Sequence, residues 1–192
     1  MNPIATIYMA NGKNIVIELL PDHAPNTVAS FIYAAKNGFL DNHAIERIVP
    51  GNWIDMSYSA FDHEECKYLI PNEFKLNPHI EPLDSHPGCV CMGGYGEKGL
   101  ASCEFFFPLR DCPDHKGIYP VFGKILEGMD EVWRLEKVET TPVDFPVPGV
   151  EVNKPVEPQV IEKVTLELFG KEYPDPVKAE CDELPITWIE KY

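Results

Sequence analysis

Two runs of β-branched and apolar residues, 4–9 and 15–20, flank the dipeptide Asn11-Gly12, and no other local feature constrains the start of this chain as strongly. Asn-Gly supplies the positive-φ positions of a tight turn whose twist matches the flanking strands, so the chain opens with a β-hairpin. The period then changes. From Pro25-Asn26-Thr27 onward, Val28, Phe31, Ile32 and Ala35 fall at i, i+3, i+4 and i+7, the apolar face of a helix that Asn26 and Thr27 start and Gly38 stops. A second helix fits residues 128–138, with Met129, Val132, Trp133 and Leu135 as its apolar positions. Elsewhere short apolar runs (45–49, 53–56, 89–92, 104–107 and 121–126) are broken by Gly, Pro, Asn and Asp, and residues 159–168 read as a closing strand. Many short strands with two helices predict a mainly β fold, an antiparallel barrel or sandwich with helical caps.

The 192 residues bury one sizeable core and require no second domain. Nineteen prolines are scattered, so they mark turns and not a linker, and no internal repeat is present. The barrel is assigned to residues 1–170. Residues 171–192 form a tail in which Pro174, Pro176 and Pro185 precede the apolar Ile186, Trp188 and Ile189, which predicts that it packs back on the barrel.

Charge narrows the partners. Sixteen Lys and Arg against 31 Asp and Glu leave a net charge of −15, which disfavours nucleic acid and anionic membrane surfaces. No basic stretch leads into an apolar run at the N-terminus, and no window approaches the roughly 18 apolar residues of a membrane span, so the expectation is a cytoplasmic monomer. In that compartment the six cysteines are reduced thiols. Cys89 and Cys91 lie near His79 and His86, but four convergent ligands are lacking and no zinc site is expected.

The informative stretch runs from Gly38 to Asp55. If Pro50-Gly51-Asn52 is a three-residue hairpin loop, Val49 opposes Trp53 and Arg47 opposes Asp55, with Cβ atoms roughly 5 Å apart. A carboxylate beside an Arg fixes its orientation through charge-assisted hydrogen bonds. Taken alone, an exposed cross-strand pair of this kind is worth about 0–1 kcal/mol and is commonly only structural. Farther on, alternation along Phe105-Phe106-Phe107 sends the outer two inward and Phe106 outward.

In order along the chain, these segments resemble the signature regions of the cyclophilin family of peptidyl-prolyl cis-trans isomerases. Ala24-Pro25-Asn26-Thr27-Val28 with Phe31 is similar to the family's first-helix motif, and Gly38-Phe39-Leu40-Asp41 to its Gly-Phe-Tyr-Asp. Gly88-Cys89-Val90-Cys91-Met92-Gly93 resembles Gly-x-Leu-Ser-Met-Ala, and Ser102-Cys103-Glu104-Phe105-Phe106-Phe107 resembles Gly-Ser-Gln-Phe-Phe-Ile. Val121-Phe122-Gly123-Lys124 through Gly128-Met129 is similar to Val-Phe-Gly-Lys-Val-x-x-Gly-Met, and residues 158–164 resemble a bacterial variant of the last strand. The resemblance implies a closed eight-stranded antiparallel β-barrel capped by two α-helices, and isomerase activity on X–Pro bonds without cofactor or metal. It implies Arg47 as the catalytic residue. The implied substrate-binding residues are Asn52, Trp53, Asp55, Met92, Gly93, Glu104, Phe106, His115 and Tyr119, and the partners are proline-containing peptides or client proteins.

Departures from the family pattern shape a second set of expectations. Glu46 stands where the family has His, Asn52 and Trp53 where it has Phe and Met, and Asp55 and Glu104 where it has Gln. Counting back without gaps, Asp114, His115 and Tyr119 replace Trp, Leu and His. A carboxylate competes for the donors of Arg47 and offsets its field, so turnover is expected to be slow. A cleft rimmed by Glu46, Asp55, Glu104 and Asp114 is expected to prefer cationic peptides. The alternative is a binding module on the same barrel, holding proline segments with little or no turnover.

Overall fold

The opening hairpin pairs β1 (Ile4–Met9) with β2 (Asn14–Leu19) in the computed structural model, which describes residues 1–145, 147–181 and 183–189. Ala5 faces Ile17 and Ile7 faces Ile15, all four fully buried, so one face of the hairpin enters the core as alternation requires. Helix α1 (Pro25–Lys36) follows and lays Phe31 against Phe105 and Phe122, with ring centroids 5.3 Å apart in both pairs.

The helix is capped from a distance. Neither Asn26 nor Thr27 caps it; Pro25 occupies the first turn, and the free amides of Asn26 and Thr27 donate to Glu73 on the short helix α2 (Glu73–Leu76). The Thr27 hydroxyl and Asn77 Nδ2 donate to the same carboxylate, at 2.6 and 2.8 Å. A buried acid at this position satisfies amides that the helix itself cannot, and meets the positive end of the helix dipole.

The remaining strands are β3 (His43–Ala44), β4 (Arg47–Val49), β5 (Trp53–Asp55), β6 (Leu69–Ile70), β7 (Cys89–Gly94), β8 (Leu100–Pro108) and β9 (Val121–Glu127). After helix α3 (Met129–Glu136) come β10 (Thr140–Pro142), β11 (Asn153–Pro155) and β12 (Val160–Glu167). The architecture is mainly β, but it departs from the closed eight-stranded barrel that was expected. Among the described residues, twelve strands form one antiparallel sheet in the order β10-β11-β4-β5-β8-β7-β9-β2-β1-β12-β3, with β6 on β8, and hydrogen bonds do not close it. The reason lies at β4, whose two edges are occupied by β5 and by β11 through the Ile48–Asn153 partnership. The two residues between β3 and β4 therefore carry the wrap covalently: β3 pairs with β12, and β4 pairs with β5. Helices α1 and α3 match the two that were expected, and α2 is an additional short one.

Beyond β12 the chain returns along the body. Asn26 and Val177 exchange two hydrogen bonds, the Ala179 amide donates to the Leu69 carbonyl at 2.8 Å, and Trp188 is buried. Ile186 and Ile189 stay exposed, so of the three apolar residues expected to hold the tail only Trp188 is inserted. Positions 182 and 190–192 of that tail lie outside the described residues.

Replacing Glu73 by Ala strands the two α1 amides in a buried setting. The expected cost is about 3 kcal/mol, a fall of roughly 6–12 °C in Tm by thermal denaturation, with Glu73→Gln less affected because its carbonyl still accepts.

Candidate functional site

The β4–β5 hairpin sets the first half of the site. Gly51 at φ +73° makes the turn, and the register places Arg47 opposite Asp55 and Val49 opposite Trp53. Arg47 Nη1 donates to Asp55 Oδ2 at 2.7 Å, with the two side chains only 14% and 15% exposed. Arg47 Nε donates to the Glu151 carbonyl, also at 2.7 Å, and the guanidinium lies 5.5 Å from the centre of the Trp53 ring. These partners, with Tyr58 also hydrogen-bonded to the guanidinium, fix the cation, and the cation–π contact adds about 0.5–1 kcal/mol. Burial pushes the Asp55 carboxyl above its ordinary range, opposed by the Arg47 charge and by hydrogen bonding from Arg47, Trp53 and Tyr58.

Strand β8 supplies the second half. Asp55 pairs with Phe106, and alternation turns Phe106 away from the core that holds Phe105 and Phe107. Cys89, Cys91 and Val121 pack behind Phe106 as a second small apolar cluster. A short 3-10 turn (Pro113–His115) brings His115 beside Phe106 at 5.7 Å, Trp53 at 5.8 Å and Tyr119 at 4.9 Å between ring centroids. Tyr119 also meets Phe106 at 5.8 Å. These four rings form a box next to Arg47, in a cavity of about 530 Å³. That volume suits a short peptide segment better than a macromolecular surface contact.

Glu104 lies two residues before Phe106 and shares its face of β8. It is buried, accepting from Tyr95 Oη at 2.7 Å and from Trp188 Nε1 at 2.5 Å. Burial pushes its carboxyl well above the ordinary range and favours the neutral acid. Gly93 sits across from it: a Cβ there would meet the Glu104 carbonyl oxygen at 3.0 Å, a tight contact that β7 and β8 could accept only by moving apart slightly.

Of the ten residues singled out from sequence, the structure brings eight to the cavity: Arg47, Trp53, Asp55, Gly93, Glu104, Phe106, His115 and Tyr119. The other two lie elsewhere. Met92 points into the main core, because its parity on β7 is opposite to that of Cys91 and Gly93. Asn52 stays in the hairpin turn and accepts from Arg110 Nε at 2.9 Å. The anionic rim does not form. Glu46 pairs with Lys154 at 3.2 Å, Asp55 with Arg47, and Glu104 lies under Trp188, which leaves Asp114 exposed on its turn.

The sequence reading missed several wall residues. Phe145, Val147 and Val150 come from the connection between β10 and β11, Tyr58 and Tyr95 from loops, and Pro185, Ile186 and Thr187 from the tail. Only non-local pairings put them there, and spacing along the chain carries no signal of those. Among the described residues no cluster of three or more His, Cys, Asp or Glu could hold a metal ion.

Against known families, the profile described as Cyclophilin type peptidyl-prolyl cis-trans isomerase/CLD matches residues 4–166. The chain is 31% identical over 126 residues to peptidyl-prolyl cis-trans isomerase B of Bacillus subtilis, covering 64% of this chain and 82% of that protein. It is 29% identical over 139 residues to peptidyl-prolyl cis-trans isomerase CYP71 of Arabidopsis thaliana, covering 72% of this chain but only 22% of that protein. Among solved structures, a Cryptosporidium parvum cyclophilin type peptidyl-prolyl cis-trans isomerase, crystallised in the presence of the dipeptide Ala-Pro, superposes with a TM-score of 0.64 at 19% identity. That match covers 85% of this chain and 98% of the other, and it shows a shared fold.

His115 yields a stability test. Its Nδ1 is buried with no hydrogen-bond partner among the described residues, and burial lowers its pKa from the ordinary 6.5. The unfolded chain therefore takes up this proton first, so stability present above pH 6.5 is lost as pH falls through the lower folded value. His115→Leu removes both the orphaned nitrogen and this titration. It is expected to stabilise by about 1–2 kcal/mol at neutral pH and by more below pH 6, measured as the difference between the two denaturation curves across pH.

Proposed function

This chain belongs to the cyclophilin-type peptidyl-prolyl cis-trans isomerase family, and on that premise we propose that its cavity takes an X–Pro segment and speeds rotation about the X–Pro bond. The observation that carries this reading is Arg47, a guanidinium held in place at the edge of the box made by Trp53, Phe106, His115 and Tyr119. The barrier to be lowered is ~18–20 kcal/mol, because the planar amide is conjugated. A proline ring seated on the aromatic faces puts its nitrogen within reach of the Arg47 donors. A hydrogen bond to that nitrogen is stronger once twisting has localised its lone pair, so the interaction favours the transition state over the planar ground state. No covalent step, cofactor or metal enters this scheme. The Ala-Pro dipeptide supplied to the structural relative has the chemistry that this box would accept.

Asp55 tempers the reading. Its carboxylate holds Arg47 where a neutral amide would hold it without offsetting the charge. We therefore propose a slow isomerase. The same pairing favours a second reading, a proline-segment binding module with negligible turnover. In either case the net charge of −15 supports a partner other than nucleic acid or anionic membrane, and we place the protein as a cytoplasmic monomer acting on proline-containing peptides or client proteins.

A protease-coupled assay on proline tetrapeptides separates the two readings: exchange no faster than in buffer, with measurable peptide binding, selects the module. For the isomerase, Arg47→Ala is expected to lower kcat/KM roughly 10–150-fold, the range for losing a hydrogen bond of about 1.5–3 kcal/mol from a charged donor. Asp55→Gln is expected to raise kcat/KM about fivefold, equivalent to about 1 kcal/mol of restored field. Glu104→Gln is expected to change it less, since that acid is bonded to Tyr95 and Trp188 and not to Arg47. A slower Asp55→Gln variant at unchanged Tm would show that the carboxylate aids the reaction.

A further inference from the structure

One wall of the cavity comes from a part of the chain that the family profile, ending at residue 166, does not include. Pro185, Ile186 and Thr187 line the cavity, and Trp188 behind them is 2% exposed. The anchoring is specific. Trp188 Nε1 donates to Glu104 Oε1, the Trp188 ring meets Tyr95 edge-on at 5.4 Å, and Thr187 Oγ1 donates to Tyr95 Oη at 3.1 Å, which donates onward to Glu104 Oε2. Glu104 and Phe106 share one face of β8, so this anchor has a fixed offset from the aromatic box.

Ile186 is the side chain that this arrangement leaves in the open. It is 44% exposed while lining the cavity, and Phe145, Val147 and Val150 add apolar surface to the same lining. Among the described lining residues, Asp55 is held by Arg47, Lys98 is paired with Glu183 at 3.7 Å, and Glu104 is held by the anchor. A cationic side chain entering this space gains no free carboxylate, whereas an apolar one removes Ile186 surface from water. We propose that Ile186, presented by the Trp188 anchor, is a specificity-determining residue that selects an apolar side chain flanking the proline. This rests on the reading that the cavity takes an X–Pro segment.

The test is calorimetric titration of the full-length protein with tetrapeptides carrying Leu, Ala or Lys next to proline, first before it and then after it, with turnover followed in parallel. The parent is expected to bind the Leu peptide more tightly than the Ala or Lys peptide at one of the two positions. Ile186→Ala is expected to reduce that Leu preference roughly five- to twentyfold, the effect of losing two or more methylenes of contact. Trp188→Ala should give the same collapse with Ile186 still present, while Trp188→Phe, which keeps a ring in the niche, should retain most of the preference. If Trp188→Ala melts early, Ile186→Ala decides alone, since its exposed side chain carries little of the fold. A parent without Leu preference, a parent preferring Lys, or an Ile186→Ala variant that weakens all peptides equally would overturn the proposal. Leu-selective binding without turnover would overturn the isomerase reading and leave this one standing. Turnover without Leu selectivity would do the reverse, and no binding at all would overturn both.

Discussion

The alternation of Phe105, Phe106 and Phe107 along β8 ties the core of this protein to its cavity. Phe105 and Phe107 are fully buried in the main core, where Phe31 of α1 meets Phe105 edge-on, while Phe106 faces the other way and floors the aromatic box. Strand β8 is hydrogen-bonded to β5, β6 and β7, so its register is held from both sides. A slip of one residue would carry Phe106 into the core and Phe105 into the groove. The stability of the sheet and the placement of the pocket are therefore one constraint seen from two faces.

Arg47 is a mostly buried charge whose orientation is fixed by partners from separate parts of the chain. It reaches Asp55 across the hairpin, the Glu151 carbonyl from the β10–β11 connection, and the face of Trp53. With both charged side chains mostly buried, removing either one leaves an uncompensated charge, which commonly costs more than the pair contributes. The pair is thus a device for orientation, and its electrostatic consequence is a damped field toward the cavity. The β11 strand that brings Glu151 close also occupies the outer edge of β4, and that same contact keeps the sheet from closing into a hydrogen-bonded ring. Architecture and electrostatics of the site share a single cause.

The carboxylates near the cavity illustrate why composition is a poor guide to local potential. Glu46, Asp55 and Glu104 all stand close to the groove in sequence logic, and the chain carries a charge of −15. Each of the three nevertheless finds a partner, Lys154, Arg47, or the Tyr95–Trp188 pair. The rest of the cavity lining is largely aromatic and aliphatic, and its Lys98 is paired with Glu183.

Much of the fold and part of the site were legible in the residues themselves, because they depend on short-range periodicity. The Asn-Gly hairpin, the helical face from Val28 to Ala35, the Arg47–Asp55 register and the outward turn of Phe106 follow from repeat distances of two or 3.6 residues and from turn chemistry. Parity also separates Met92 from the groove that family position implies for it, since Cys91 and Gly93 occupy the outward face of β7 and Met92 the inward one. What only the tertiary structure decided involves partners distant in sequence. Glu73 caps a helix 46 residues away, Glu151 holds Arg47 across 104 residues, and Trp188 seals Glu104 across 84. No spacing along the chain encodes such contacts, since each exists only because the sheet and the returning tail bring remote segments within hydrogen-bond distance.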